Sequence, residues 1–190
     1  VDEKLPRGTV VFPHLVTVHF DGACQPPRGG GIATYGFTVD GEELDHEDKG
    51  LAVPPWSAHA TNNVAEYVAA IRALEYLLER RHRGQVLMLG DSELVVRQMN
   101  GEYEVRAPHL RAYFDRLRQL VAQFPEVEFR WIPRAQNLRA DELSKEAFED
   151  NASGAGRHRP PRPPEVPPED EANRDPTAVT GRSDQFQRTV

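Results

Sequence analysis

Two hydrophobic rhythms divide the chain. In residues 14–20, HLVTVHF, apolar and polar side chains alternate as in a half-buried strand, whose successive residues face opposite sides. DGACQPPRGGG interrupts, and GIATYGFTV (31–39) resumes with β-branched and aromatic residues. A third strand over 42–53 follows the turn at Asp40-Gly41. A helical period then takes over. Val64, Val68, Ile71, Leu74 and Leu78 share one face of a helix predicted over 62–82, with Thr61 or Asn62 able to cap it. QVLML (85–89) reads as a short buried strand ending at Gly90-Asp91. Helices over 92–100 and 109–124, a strand over 127–132 and a last helix over 136–150 complete the pattern. Three strands followed by alternating helix and strand predict an α/β fold, a five-stranded mixed sheet with helices packed on it.

The pattern stops near Asn151. The last 40 of the 190 residues hold 7 of the 16 prolines and only 8 hydrophobic residues. So little apolar surface cannot offset an ordering entropy of about 1–2 kcal/mol per residue. The expected organisation is an N-terminal extension (1–12), one folded domain (13–150) and a disordered Pro/Arg/Glu-rich tail (151–190). The tail's 6 arginines and 6 acids cancel, so the net charge of -7 belongs to residues 1–150. That sign excludes a basic protein that coats nucleic acid. One cysteine, Cys24, excludes an intramolecular disulfide framework or a cysteine-built zinc site. No apolar run approaches the roughly 18–20 residues of a membrane span. The N-terminus also lacks the basic-then-apolar plan of a secretory signal. The expectation is a soluble, cytoplasmic protein without membrane association, and no obligate protein partner is inferred.

Four carboxylates stand at element ends, where an α/β sheet gathers its functional groups. Asp21 closes the first strand, Asp91 closes QVLML, Glu66 lies in the first turns of the long helix, and Asp141 lies in the last helix. Singly, Asp21-Gly22 is an ordinary turn, Asp91 an N-cap and Asp141 a solvated surface acid. Glu66 differs, because Ala70, Ala73 and Leu77 continue its line along the helix. A carboxylate on a small, apolar face is desolvated, and buried carboxylates need a partner or a metal. Four such groups together repel one another, which hard divalent cations such as Mg²⁺ or Mn²⁺ resolve. The spacing therefore points to metal-dependent phosphoryl transfer.

The segments VHFDGAC, ATNNVAEY, LGDSELVVRQMNGEYEVR and WIPRAQNLRADELS, each carrying one acid, resemble in order and spacing the signatures of type 1 ribonuclease H. The likeness covers most of residues 14–149 and is greatest to the short subclass described in archaea and many bacteria. The resemblance implies a ribonuclease H-like fold and two ions held by Asp21, Glu66, Asp91 and Asp141, with Asp21 bridging them. It implies endonucleolytic hydrolysis of the RNA strand of an RNA/DNA hybrid, leaving 5′-phosphate and 3′-hydroxyl ends. Two ions about 3.5–4 Å apart can clamp the scissile phosphate, acidify the attacking water and stabilise the departing oxygen. Thr61 resembles a contact to the DNA phosphate. Asn62 and Asn63 resemble the amides that reach into the minor groove, where an amide can recognise a 2′-hydroxyl. Gly22, Cys24, Ser92 and Asn137 match substrate-side positions. Cys24 alone reads equally as a core filler.

Departures from the pattern carry their own expectations. Only EYEVRAP stands where better-known relatives place a long basic protrusion, so hybrid affinity should be modest. The turn after the first aspartate lacks its usual asparagine and offers Arg28 to a phosphate instead. Arg134, seven residues before Asp141, stands where many relatives carry histidine. An arginine cannot serve as a base but can hold a phosphate oxygen. Two alternatives are a hybrid-binding module without catalysis and another nuclease of this fold, such as a 3′-exonuclease or a transposase. Exonucleases of the fold usually open with Asp-x-Glu, whereas this chain has Asp21-Gly22-Ala23. Cleavage of double-stranded RNA, the preferred metal and the oligomeric state stay open.

Overall fold

The computed structural model describes residues 15–26, 30–42 and 44–155. Strands β1 (Val16–Gln25), β2 (Ile32–Asp40) and β3 (Asp45–Leu51) form an antiparallel meander. Helix α1 (Asn62–Glu79) leads to β4 (Val86–Gly90), which pairs parallel to β1. Helices α2 (Glu93–Met99) and α3 (Pro108–Val121) precede β5 (Val127–Trp131), parallel to β4. A short 3₁₀ turn (Arg134–Gln136) leads into α4 (Leu138–Ala155). The sheet order is β3-β2-β1-β4-β5. The predicted five-stranded mixed sheet is the fold observed.

Alternation in β1 sorts its side chains between the two faces. Val16, Val18 and Phe20 face α1 and belong to the main core with Phe37, Tyr67, Leu74 and Met88. Asp21 faces the other side, where α4 packs across β1 and β2. The predicted apolar face of α1 is realised: Val64, Val68, Ile71 and Leu74 are buried, and Leu78 is half-buried at its edge.

Element ends differ from the sequence-based expectation for local reasons. Helix α1 stops before residue 82 because Arg81 turns left-handed (φ 58). The amides of Arg81 and His82 then close on the carbonyls of Leu78 and Leu77, the Schellman arrangement that satisfies a helix C-terminus. Strand β3 is shorter than 42–53, starting at Asp45 and ending at Leu51. The last helix starts at Leu138 instead of residue 136, because residues 134–136 form the tighter 3₁₀ turn. It continues to Ala155, five residues past the expected end. The expected extension (1–12), Arg28 and the tail beyond residue 155 lie outside the described residues.

The connection between α2 and α3 is held from inside. Gln98, buried between the helices, meets the Tyr67 hydroxyl at 2.5 Å and donates through Nε2 to the Glu104 carbonyl at 3.2 Å. A buried amide with both ends engaged fixes this short linker at little expense in chain entropy.

Candidate active site

The parallel pairing of β1 with β4 ends at Phe20 opposite Gly90, so Asp91 leaves the sheet there. Asp21, expected to close the first strand, instead lies within β1 opposite Gly36, because pairing with β2 carries β1 on to Gln25. Glu66 reaches them from α1. Residue 22 is glycine for a steric reason: a Cβ there would lie 2.2 Å from the Glu66 amide nitrogen. The helix thus rests directly on the β1 backbone, and the Gly22 N–H donates to Glu66 Oε2 at 3.1 Å. One oxygen from each of Asp21, Glu66 and Asp91 lies within 4.8 Å of the other two. Among the described residues this cluster is made of carboxylates alone, with no histidine.

Burial and mutual repulsion act on these acids. Burial pushes the Asp21 carboxyl up from 3.8 to about 7, with Asp91 and Asp141 adding repulsion against the Ser144 hydrogen bond. Glu66 is raised well above its ordinary value, first by burial and then by Asp21 and Asp91. Each acid accepts one hydrogen bond from the described residues. Ser144 Oγ donates to Asp21 Oδ2 at 2.5 Å, Gly22 N to Glu66 and Asn137 Nδ2 to Asp91 Oδ1 at 3.0 Å. Free lone pairs therefore remain on three converging hard-oxygen groups, and Asn137 Oδ1 is a buried acceptor without a partner. This donor set fits divalent cations.

Asp141 stands apart from the triad. Arg134 pairs with its Oδ1 and Lys145 Nζ with its Oδ2 at 2.5 Å. Arg134 was expected at a phosphate; in this structure its guanidinium, on a largely exposed side chain, rests on Asp141. Lys145 was not anticipated, although its i+4 spacing from Asp141 is the ordinary helical ion-pair interval. Ser144 and Trp131 were also missed. The Trp131 indole N–H donates to the Asp91 backbone carbonyl at 3.1 Å. Ser144 lies one helical turn beyond Asp141; for Trp131 no sequence signal existed.

The remaining candidates fall around this centre. Thr61 caps α1, its Oγ1 accepting from Val64 N at 3.2 Å. Asn62 is half-buried and Asn63 buried in the first turn, a few residues before Glu66. Asn137 bridges strand and site, also donating to the Phe20 carbonyl at 2.9 Å. Ser92 is the N-cap of α2 but makes no side-chain capping bond, so Asp91 does not serve as the cap. Cys24 lies in a small core cluster with Ala33, Ala60 and Ala65, its Sγ donating to the Ala60 carbonyl at 3.0 Å.

A domain with this sheet order and three converging carboxylates defines a nuclease-like α/β class, and comparison with known proteins gives the family. A family model described as reverse transcriptase-like matches residues 44–147. Ribonuclease HI of Halobacterium salinarum is 35% identical over 137 residues, 66% of this chain and 68% of that protein. The solved N-terminal RNase H domain of Rv2228c from Mycobacterium tuberculosis shares 33% identity with a TM-score of 0.66, over 75% of this chain and 99% of that one. LC11-RNase H1, solved in complex with an RNA/DNA hybrid, shares 34% identity with a TM-score of 0.63, over 72% and 99% of the two chains. The chain belongs to the type 1 ribonuclease H family. It spans 37% of the length of the mycobacterial bifunctional protein Rv2228c that it matches. Among the described residues, no helix is long and apolar enough to cross a membrane.

Proposed function

We propose that this protein is a ribonuclease H that cleaves the RNA strand of RNA/DNA hybrids, leaving 5′-phosphate and 3′-hydroxyl ends. The observation that carries the proposal is the convergence of Asp21, Glu66 and Asp91 within 4.8 Å in a domain of this family. Asp21, Glu66, Asp91 and Asp141 would hold two Mg²⁺ or Mn²⁺ ions. When bound, such ions would supply Lewis acidity, lowering the pKa of a water and countering charge on the scissile phosphate.

The chain's own residues do the rest. Thr61, while capping α1 through its lone pair, keeps its hydroxyl proton for a DNA phosphate. Asn62 and Asn63 present amides that can both donate to and accept from a 2′-hydroxyl, which DNA lacks. Asn137 holds Asp91 against the β1 backbone at Phe20. The backbone at Gly22 and the side chain of Ser92 line the approach of the RNA strand. Cys24 ties down Ala60, next to Thr61, and so acts on substrate through the placement of that turn. Arg134 exchanges Asp141 for a phosphate oxygen, countering the charge that builds up as the bond breaks. Arg28 meets a neighbouring phosphate.

The test is incubation of labelled RNA/DNA hybrid, RNA/RNA and DNA/DNA duplexes with the protein in Mg²⁺ or Mn²⁺. Cutting confined to the RNA strand of the hybrid is the expected result. Hybrid binding without cutting would make the protein a recognition module, and cutting of DNA would make it another nuclease of the fold.

A further inference from the structure

Ser144 has no counterpart among the residues assigned so far. It is fully buried, and its hydroxyl reaches across from α4 to Asp21 on β1, 123 residues earlier. The same hydroxyl lies 3.0 Å from the Asp141 backbone carbonyl and 2.5 Å from Asp21 Oδ2. A hydroxyl has one proton, and a carboxylate is the stronger acceptor, so the proton goes to Asp21.

The β1–β2 register aims this group. Asp21 pairs with Gly36 and Ala23 with Thr34, so both partners present the same face of the sheet to α4. A Cβ at Gly36 would lie 2.6 Å from Ser144 N, so the missing side chain lets α4 settle onto the strand. Thr34 Oγ1 donates to the Ser144 carbonyl at 2.7 Å. The Ser144 backbone is therefore fixed by residues flanking Asp21, and its side chain has little freedom to point elsewhere.

We propose that Ser144 is a positioning residue for the metal site: it locks one rotamer of the Asp21 carboxylate and so prepares it to receive divalent cations. The inference rests on Asp21 being a metal ligand. Donors behind a ligand typically contribute about 10- to 100-fold in metal affinity or activity.

The experiment is calorimetric titration of the full-length protein with Mn²⁺, without nucleic acid, beside metal-free thermal unfolding. Ser144→Ala should weaken Mn²⁺ binding about tenfold or more while the metal-free protein unfolds as cooperatively as wild type. Ser144→Thr, which keeps the hydroxyl, should recover most of the affinity. Ser144→Cys, of similar shape but with a weak donor, should resemble Ala, and it supplies the comparison if the alanine variant folds poorly. In an Asp21→Asn background, Ser144→Ala should weaken the residual binding less than twofold, because the group through which it acts is gone. Equal and additive losses in both backgrounds would assign Ser144 to packing and overturn the inference. Unchanged Mn²⁺ affinity in Ser144→Ala would overturn it while leaving the metal site intact. Absence of Mn²⁺ binding by the wild-type protein would overturn the metal-site reading and this inference with it.

Discussion

Gly22 and Glu66 are in direct backbone contact: the strand amide donates to the helix carboxylate, and there is no room between them for a methyl group. The contact sets both the seating of α1 on the sheet and the placement of a buried acid. Gly22→Ala should therefore damage stability and site together. Overpacking against backbone costs about 1–3 kcal/mol or more. Chemical denaturation should show that loss, and Mn²⁺ affinity should fall with it. A variant as stable as wild type would mean that α1 can move away freely.

Metal-free stability should depend on pH through Asp21. Its carboxyl keeps its proton up to about pH 7 in the fold, against 3.8 ordinarily, chiefly because of burial. A raised folded-state value favours folding below the unfolded value and loses that advantage as pH rises through the folded one. Between about pH 4 and 7 the metal-free domain should therefore lose on the order of 4 kcal/mol from this group. Asp21→Asn should flatten the slope and raise the melting temperature at pH 8 in chelator, while turnover falls more than tenfold. Mg²⁺ should raise the wild-type melting temperature more at pH 8 than at pH 5.

Arg134→Ala should lower kcat about 10- to 1000-fold, the range for one charged donor in a buried transition state. Arginine stays protonated throughout the working range, so the rising limb of activity with pH should not move. Exchanging Mg²⁺ for Mn²⁺ should shift that limb to lower pH. A limb that stays at the same pH in both metals would reveal a general base in the protein and displace Arg134 from this role.

Hybrid binding should weaken only gently with salt. The domain is acidic and only a short linker joins α2 to α3, so about three to five phosphate contacts should set a correspondingly shallow slope. Removing residues 156–190 should leave kcat/KM on short hybrids within about twofold, since every site residue proposed among the described residues precedes residue 146. A large rise in KM would give the tail's arginines a substrate role.

The sheet and its helices were legible because each rests on a local rule. Alternation marks β1 and β2, and the 3.6-residue period marks α1. The predicted end of β1 before Asp21 fails, because pairing with β2 carries the strand to Gln25. Glu66 was singled out by the small residues behind it, and its burial agrees with that argument. Helix ends were less legible, since Arg81 adopts a left-handed conformation more typical of glycine, and propensity does not foretell that. Lys145 could have been found from its spacing to Asp141, and Ser144 from its place one turn beyond Asp141.

By itself the sequence determined the order and kind of the elements, the family and the acids that could meet, because periodicity and motif spacing are written along the chain. Tertiary structure alone decided which acids do meet and what holds them. Asp21, Glu66 and Asp91 converge because β1 pairs parallel to β4 and Gly22 admits α1. Asp141 is outside that cluster and has both its oxygens engaged by Arg134 and Lys145. The Ser144 hydroxyl reaches Asp21 across 123 residues. Such contacts depend on strand register and on the depth to which a helix settles on a sheet. Both are properties of packing between distant segments, and no local pattern encodes them.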